Sequence, residues 1–292
     1  MSAGQSAGSG DAVSKAPGAE RKATTAKPAW PGVRGAHVLV TGAGSGIGAA
    51  IARTLALEGA RITLAGRRAQ PLLDVLASLP AASPGTGTQP HGHVLMDITD
   101  EASVAAGFAQ ARAERGPVAV LVNNAGAAES SPFLRTDLDL WRRMMDVNLT
   151  GAYLCSHAVL PDLLAAGSGR IVNVASTAGL KGYAYVVAYT AAKHGVVGLT
   201  RALAVELARK GITVNAVCPG FTDTGLLERS VSLVVDKTGR SRDETREELA
   251  SVNPQGRLIQ PEEVADTVRW LCSPAAESIT GQAISISGGE VM

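Results

Sequence analysis

Aromatic side chains are scarce in this chain, at 3% of its 292 residues, and charge of either sign is nearly balanced, with 27 basic against 26 acidic residues. A protein that binds nucleic acid needs a basic face or a run of rings on which bases can stack, and neither is available here. Long apolar runs are also missing. Stretches such as Val118 to Val122 are far too short to cross a bilayer. Cysteine is limited to Cys155, Cys218 and Cys272, an odd number, widely spaced and without a C-x-x-C pair. They read as buried free thiols in a reducing compartment, the cytoplasm, and not as a disulfide framework or metal ligands. What the chain does have is 46% hydrophobic residues. With this length, that suffices for one large α/β domain, or at most two small ones.

Residues 1–33 differ from the rest. They are rich in Ala, Gly, Ser and Pro with almost no bulky apolar residues. Such a segment cannot bury enough surface to offset its chain entropy, so a disordered tail is expected, with the folded domain spanning 34–292. No apolar core of a secretory signal is present in it. Lys15, Arg21, Lys22 and Lys27 outnumber Asp11 and Glu20, which leaves a transit peptide as the alternative to a plain extension.

From residue 36 onward, short strand-like runs alternate with stretches of helical period. Strands are expected at His37–Val40, Arg61–Ala65, His93–Met96, Val118–Val122, Arg170–Val174, Thr213–Cys218 and Gln282–Ile286. Between them lie expected helices at Ile47–Glu58, near Gln70–Ser78, Asp100–Arg115, Leu138–Ala165, Ala188–Arg209 and Pro261–Leu271, and a Pro/Gly/Thr loop at Pro80–Pro90. Strands apolar on both faces in β-α alternation predict a doubly wound, Rossmann-like parallel sheet of about seven strands, covered by helices on both sides. Ligands of such sheets bind beyond the carboxyl ends of the strands.

The first expected strand runs into Thr41-Gly42-Ala43-Gly44-Ser45-Gly46-Ile47-Gly48. Backbone without Cβ atoms can turn tightly there and approach a pyrophosphate, whose charge meets the N-terminus of the next helix. The spacing is not G-x-G-x-x-G, because Ile47 stands where the last glycine would be. An acidic residue after the second strand would bind the ribose 2′-hydroxyl of NAD, whereas an arginine accommodates the 2′-phosphate of NADP. This chain reads Leu64-Ala65-Gly66-Arg67-Arg68, so Arg67 is the candidate phosphate partner and NADP(H) the expected cofactor. Asp97, with Ile98 beside it, follows the third strand and is a candidate contact for adenine.

Asn148, Ser176, Tyr189 and Lys193 are the candidate catalytic residues. Tyr189 and Lys193 are four positions apart and share a helix face. A tyrosine at its ordinary pKa of about 10 is a poor base at neutral pH. A neighbouring ammonium and a positive nicotinamide ring favour the phenolate and are expected to lower that value. So tuned, the phenol can protonate an alkoxide or deprotonate an alcohol. Ser176, at the end of a strand, could hold the substrate oxygen.

Together, Thr41–Gly48, Asn123-Asn124-Ala125-Gly126, Asn148, Ser176, Tyr189-x-x-x-Lys193 and the run from Pro219 and Gly220 to Thr224 resemble the short-chain dehydrogenase/reductase family over residues 34–292. The thirteen positions from Ser176 to Tyr189 match the family's usual separation. The resemblance implies that Tyr189 is the acid/base and that Lys193 bonds the nicotinamide ribose and lowers the tyrosine pKa. It implies that Ser176 polarises the carbonyl and that Asn148 holds a water in a proton relay toward Lys193. Asn123, Asn124, Ala125 and Gly126 would line the adenosine-ribose side and support the central sheet, while Gly42, Ser45, Gly46, Ile47 and Gly48 of the glycine loop complete the cofactor site. Thr222 and Thr224 would contact the carboxamide and phosphates, fixing pro-S hydride transfer without a metal. Ala175 departs from the pattern, in which a second serine often precedes the catalytic one.

Residues from Phe221 to about Gln260 form a charged insertion, expected to be a solvated helical lid; in the resembled family this region closes over the substrate. Val231–Val235 within it is read either as a wall for an acyl chain or as ordinary packing. The lid, Asn253-Pro254-Gln255-Gly256-Arg257 and the ending Gly288-Gly289-Glu290 resemble 3-ketoacyl thioester reductases and hydroxyacyl-CoA dehydrogenases. A CoA or acyl-carrier-protein thioester is the expected substrate and a homotetramer or homodimer the expected assembly. Two alternatives stand beside this reading. One is an NAD-dependent hydroxybutyrate or small-alcohol dehydrogenase. The other is a cofactor-binding regulator without turnover, although such proteins typically lose the tyrosine or lysine that this chain keeps.

Overall fold

The computed structural model describes residues 1–4, 30–80 and 91–292. The Pro80–Pro90 loop lies, beyond Pro80, outside the described residues, as does most of the N-terminal segment. Seven strands form one parallel sheet: β1 His37–Thr41, β2 Arg61–Gly66, β3 Gly92–Leu95, β4 Val120–Asn123, β5 Gly169–Val174, β6 Ile212–Pro219 and β7 Ala283–Ile286. Their order is β3-β2-β1-β4-β5-β6-β7. The sequence order therefore reverses between β1 and β4, and a crevice opens at their carboxyl ends.

Alternate residues of each strand feed opposite cores. Val38 and Val40 of β1 pack on one face with α1 (Gly46–Leu57), α2 (Ala69–Ala77) and α9 (Pro261–Leu271). Leu39 packs on the other with α3 (Glu101–Arg115) and α5 (Gly151–Ala166), joined by Leu207 at the end of α6 (Val187–Leu207). Both faces are dry, as the near-continuous apolar strands require. Among the described residues no helix is long and apolar enough to cross a membrane.

Two expectations need correction. The helix expected over Leu138–Ala165 is divided: α4 (Leu138–Met145) passes into a π turn, Asp146–Thr150, before α5 begins. The pattern of apolar residues runs on through the turn, so sequence periodicity does not report the extra residue in the ladder. The domain also begins earlier than residue 34. Trp30 and Val33 belong to the core under α1 and α9. The Trp30 indole N–H donates to the Cys272 carbonyl at 2.8 Å, and the buried Arg170 guanidinium stacks 4.7 Å from its ring centre.

The insertion after β6 forms two helices, α7 (Gly225–Thr238) and α8 (Arg242–Ser251). Their charges pair with each other: Arg246 reaches Asp223 at 3.0 Å and also Glu228, which in turn meets Arg242 at 2.5 Å. Val231 is fully buried among Leu227, Leu258, Val235 and Leu249. Of the two readings of the Val231–Val235 stretch, packing holds for its two ends.

Candidate active site

The carboxyl edge of the sheet gathers the candidate catalytic and cofactor-binding residues. At the end of β1, Gly42 has φ +64°, and a Cβ there would stand 2.7 Å from Ala125 Cα. A Cβ on Gly48 would stand 2.6 Å from Gly42 O. The turn therefore exists in this form only because both positions are glycine. Ser45 occupies the N-cap position of α1 without a side-chain capping bond, so the first N–H groups of that helix keep no partner from the cap. A glycine cradle opening onto helix N–H donors suits a pyrophosphate.

Thr41 holds this cradle to β4. Its hydroxyl accepts from the Asn124 and Ala125 N–H groups, both at 3.0 Å, and Asn124 Nδ2 donates to the Thr41 and Gly42 carbonyls at 2.9 and 3.2 Å. Asn124 and Ala125 thus shape the loop beside the expected ribose position. Thr41 had not been singled out for this. Its signal in the sequence was a lone hydroxyl directly after the apolar run Val38-Leu39-Val40 and before the first glycine.

Arg67 lies just past β2, exposed, with Nη1 3.9 Å from Asp97 Oδ2. Asp97 itself is held by Thr99, whose N–H and hydroxyl donate to Oδ1 at 3.0 and 2.8 Å, and these bonds keep its pKa below the usual carboxylate range. Ile98 is buried against Gly151 at the start of α5, where a Cβ would meet its Cδ1 at 2.5 Å. Arg68 is the N-cap residue of α2. On the far side of the crevice, Pro219 ends β6 and the Gly220 N–H donates to Ile286 O at 3.0 Å. Thr222 is buried, its hydroxyl donating to Gly220 O at 2.9 Å. Thr224 opens α7, and its methyl group would lie 3.1 Å from a Cβ on Gly46. The root of the insertion therefore rests on the glycine loop.

Ser176, Tyr189 and Lys193 converge where β5 ends. Ser176 faces the Tyr189 phenol, close enough to oppose the rise in its pKa, and accepts from the Ala178 N–H at 3.1 Å. Lys193, buried, donates to the Val174 carbonyl at 2.8 Å, with Nζ 5.7 Å from the centre of the Tyr189 ring. Gly126 separates Lys193 from Asn148: a Cβ there would stand 2.8 Å from Asn148 Oδ1 and 3.6 Å from Lys193 Nζ. Asn148 sits in the π turn. Its Nδ2 donates to the Ala127 and Met144 carbonyls at 2.8 and 3.0 Å, and its Oδ1 accepts from the Ala127 N–H at 3.2 Å. Both amide protons are committed to backbone, so the side chain fixes the segment after β4.

The electrostatics differ from the sequence expectation in one respect. Burial pushes the Tyr189 phenol above its ordinary range, and Ser176 is the opposing influence. Burial also pulls Lys193 down to about 8. In the chain alone desolvation is the largest influence on both groups, and the depression expected of the phenol with a positive nicotinamide ring beside it is not seen without that ring.

This architecture has known counterparts. The sequence profile for short chain dehydrogenases matches residues 36–232. The chain belongs to the short-chain dehydrogenase family. These enzymes are oxidoreductases acting on keto and hydroxyl groups, and the seven-stranded fold is theirs. A candidate ketoacyl reductase of the granaticin polyketide synthase from Streptomyces violaceoruber is 42% identical over 270 residues, covering 91% of this chain and 97% of the relative. Cis-4-hydroxycyclohexanecarboxylate dehydrogenase from Sinomonas cyclohexanicum is 44% identical over 256 residues, covering 86% and 94%. Among solved structures, a variant of the actinorhodin polyketide ketoreductase with NADPH superposes with a TM-score of 0.82 at 39% identity, covering 87% of this chain and 97% of that one.

Proposed function

We propose that this short-chain dehydrogenase reduces a 3-oxoacyl thioester, carried on CoA or acyl carrier protein, to the 3-hydroxy compound with NADPH. The observation that carries this reading is the convergence of Ser176, Tyr189 and buried Lys193 at the carboxyl end of β5, across the crevice from the glycine cradle. The ketoacyl reductases among its relatives support the substrate class.

Gly42, Gly46 and Gly48 leave room for the pyrophosphate, with Ser45, Ile47 and the start of α1 supplying N–H donors. Arg67 takes the 2′-phosphate, and Asn124, Ala125 and Gly126 line the ribose. Pro219, Gly220, Thr222 and Thr224 close over the nicotinamide end. When bound, NADPH supplies the hydride. Ser176 donates to the substrate carbonyl oxygen, and Tyr189 delivers the proton that this oxygen needs as it becomes a hydroxyl. A phenol whose pKa is raised in the chain alone stays protonated at neutral pH, as an acid in the reducing direction must. Lys193 holds the ribose and recharges the phenol, and Asn148 fixes the loop through which protons arrive. Exposed apolar residues along α5 and α6, Tyr153, Leu164 and Val205, support pairing with further copies of the chain.

A second reading, oxidation of a cyclic secondary alcohol, is favoured by the 44% identity to the hydroxycyclohexanecarboxylate dehydrogenase. The two separate in one screen that follows NADPH absorbance with 3-oxoacyl thioesters and cyclic ketones, and NADP or NAD with the matching alcohols. Turnover of thioesters at a kcat/KM well above that of cyclic ketones supports the proposal. The opposite ranking, or equal use of NADH, overturns it.

A further inference from the structure

Ser176 is followed by a loop that is held by a carboxylate from the other end of the domain. The Glu290 side chain is only 2% exposed, and a carboxylate so placed is costly unless it is paired. Lys181 Nζ stands 3.0 Å from it, and the Tyr183 hydroxyl hydrogen-bonds to it. The same hydroxyl lies 2.6 Å from Thr177 Oγ1. A phenol has one proton, which the carboxylate takes, so the Tyr183 oxygen accepts from Thr177, the residue next to Ser176. The arrangement presses Tyr183 above its ordinary pKa, by burial first and by Glu290 second, and Tyr183 lies near enough to Tyr189 to feel its charge.

The other side of Tyr183 faces the insertion. Its ring meets Phe221 edge to face, with centroids 6.3 Å apart and planes at 82°. Phe221 is the root of the lid: its carbonyl accepts from Ile259 N–H at 2.9 Å, and Asp223 N–H returns the bond to Ile259 O at 2.9 Å. Glu290 also closes on this root directly, since a Cβ on Gly220 would lie 3.0 Å from its Oε2. One carboxylate therefore touches both the loop that carries Ser176 and the hinge from which α7 and α8 hang.

We propose that Glu290 is a positioning residue for the carbonyl substrate: through Tyr183 and Thr177 it locks the Ser176 loop to the root of the lid, so that substrate binding and lid closure act together. The inference rests on the reading of Ser176 and Tyr189 as the carbonyl-reducing pair. Its test uses the full chain with Glu290→Ala, Tyr183→Phe and the double variant, assayed on the carbonyl compound that the parent reduces fastest. Losing one hydrogen bond to a charged group corresponds to about a tenfold change. Each single variant is expected to raise KM for the carbonyl compound by about that factor while the dissociation constant for NADPH stays within about twofold. The double variant is expected to be no worse than the weaker single, because both remove the same link. Amide hydrogen exchange in the cofactor-free chain is expected to speed up at residues 177–186 and 220–227 in Glu290→Ala, with α1 unchanged.

A purely structural role would lower the melting temperature and the active fraction but leave KM alone, and that outcome overturns the proposal. Additive losses in the double variant overturn it as well. If the parent reduces no carbonyl compound with NADPH, the functional reading fails on its own. The exchange measurement still decides the link, and unchanged exchange at residues 177–186 and 220–227 refutes it.

Discussion

Trp30 offers the sharpest test of where the folded domain begins. Its side chain is 5% exposed and sits in the core beneath α1 and α9, sixteen positions ahead of the first helix. Truncation of a buried tryptophan to alanine costs about 3–5 kcal/mol through lost transfer energy and the cavity left behind. The Arg170 guanidinium, 1% exposed, stacks on the indole, and a desolvated contact of this kind is worth about 2 kcal/mol. These terms overlap, because the cavity beside Arg170 gives it room to draw in water, so about 4–6 kcal/mol is expected for Trp30→Ala. For a domain of this size each kcal/mol moves the melting temperature by about 2–4 °C, which places the loss at roughly 10–20 °C. Trp30→Phe keeps one six-membered ring but drops the bond to Cys272 O and the volume of the fused second ring, so a loss of about 2–3 kcal/mol, smaller than for alanine, is expected.

Thermal melts followed by circular dichroism, on the full chain, the two variants and a chain starting at residue 34, give the comparison. The truncated chain should melt as low as Trp30→Ala. Arg170 lies at the opposite end of β5 from Ser176, so KM of the surviving enzyme should not change. A chain starting at residue 34 that melts within about 2 °C of the full chain would refute the argument and restore the boundary read from composition.

Three further outcomes follow from the site and the core. Tyr189→Phe removes the acid and should lower kcat by about 10²–10⁴-fold while NADPH binding, measured by fluorescence titration, is retained; an unchanged kcat sinks the proposed chemistry. Arg67→Ala should raise KM for NADPH by about tenfold or more, leave KM for NADH in place, and so erase the preference, because one charge-assisted contact to the 2′-phosphate is lost. His37 is buried between Gly116 O and Thr63 Oγ1, and burial lowers its pKa from 6.5 to about 4. The folded ring stays neutral while the unfolded one takes a proton near 6.5, so its stabilisation, about 3 kcal/mol, is present above that pH and lost as pH falls from about 6.5 to 4. Urea midpoints at pH 7 and pH 4.5 should therefore draw together in His37→Gln, and an equal acid sensitivity in the variant would count against the burial argument.

Much of the site was legible because the chemistry is local in sequence. A turn that only glycine can make leaves glycines at Gly42 and Gly48 and a helix start after them. A phenol and an ammonium that must share a helix face stand four apart, and the strand end that brings Ser176 to them lies one short loop earlier. The β-α alternation shows in the sequence for the same reason, since strands dry on both faces cannot hide their composition. Trp30 was missed because its neighbours are Pro, Ala and Gly, and composition averages over a single anchor. The π turn at Asn148 was missed because one additional residue in a helix changes no residue type.

The direction of the Tyr189 shift and the role of Glu290 were illegible for a deeper reason. Charge spacing along a helix suggests attraction between Lys193 and Tyr189, but desolvation depends on everything packed around them, and here that includes β5, β6 and the loop after Ser176. Glu290 reads as one more polar residue near the end of the sequence, 107 positions from Tyr183. Only the order of strands, which sets β7 beside β6 and so brings residues 287–290 against Gly220, turns it into a neighbour of the loop after Ser176. In a doubly wound sheet each strand delivers its loop to the same edge, so residues that cooperate there come from every part of the chain. Local motifs in such a fold report the chemistry of cofactor and proton. The contacts that adapt one member to its substrate form between loops, as Tyr183 does with Glu290 and Phe221, and the sequence carries no spacing rule for them.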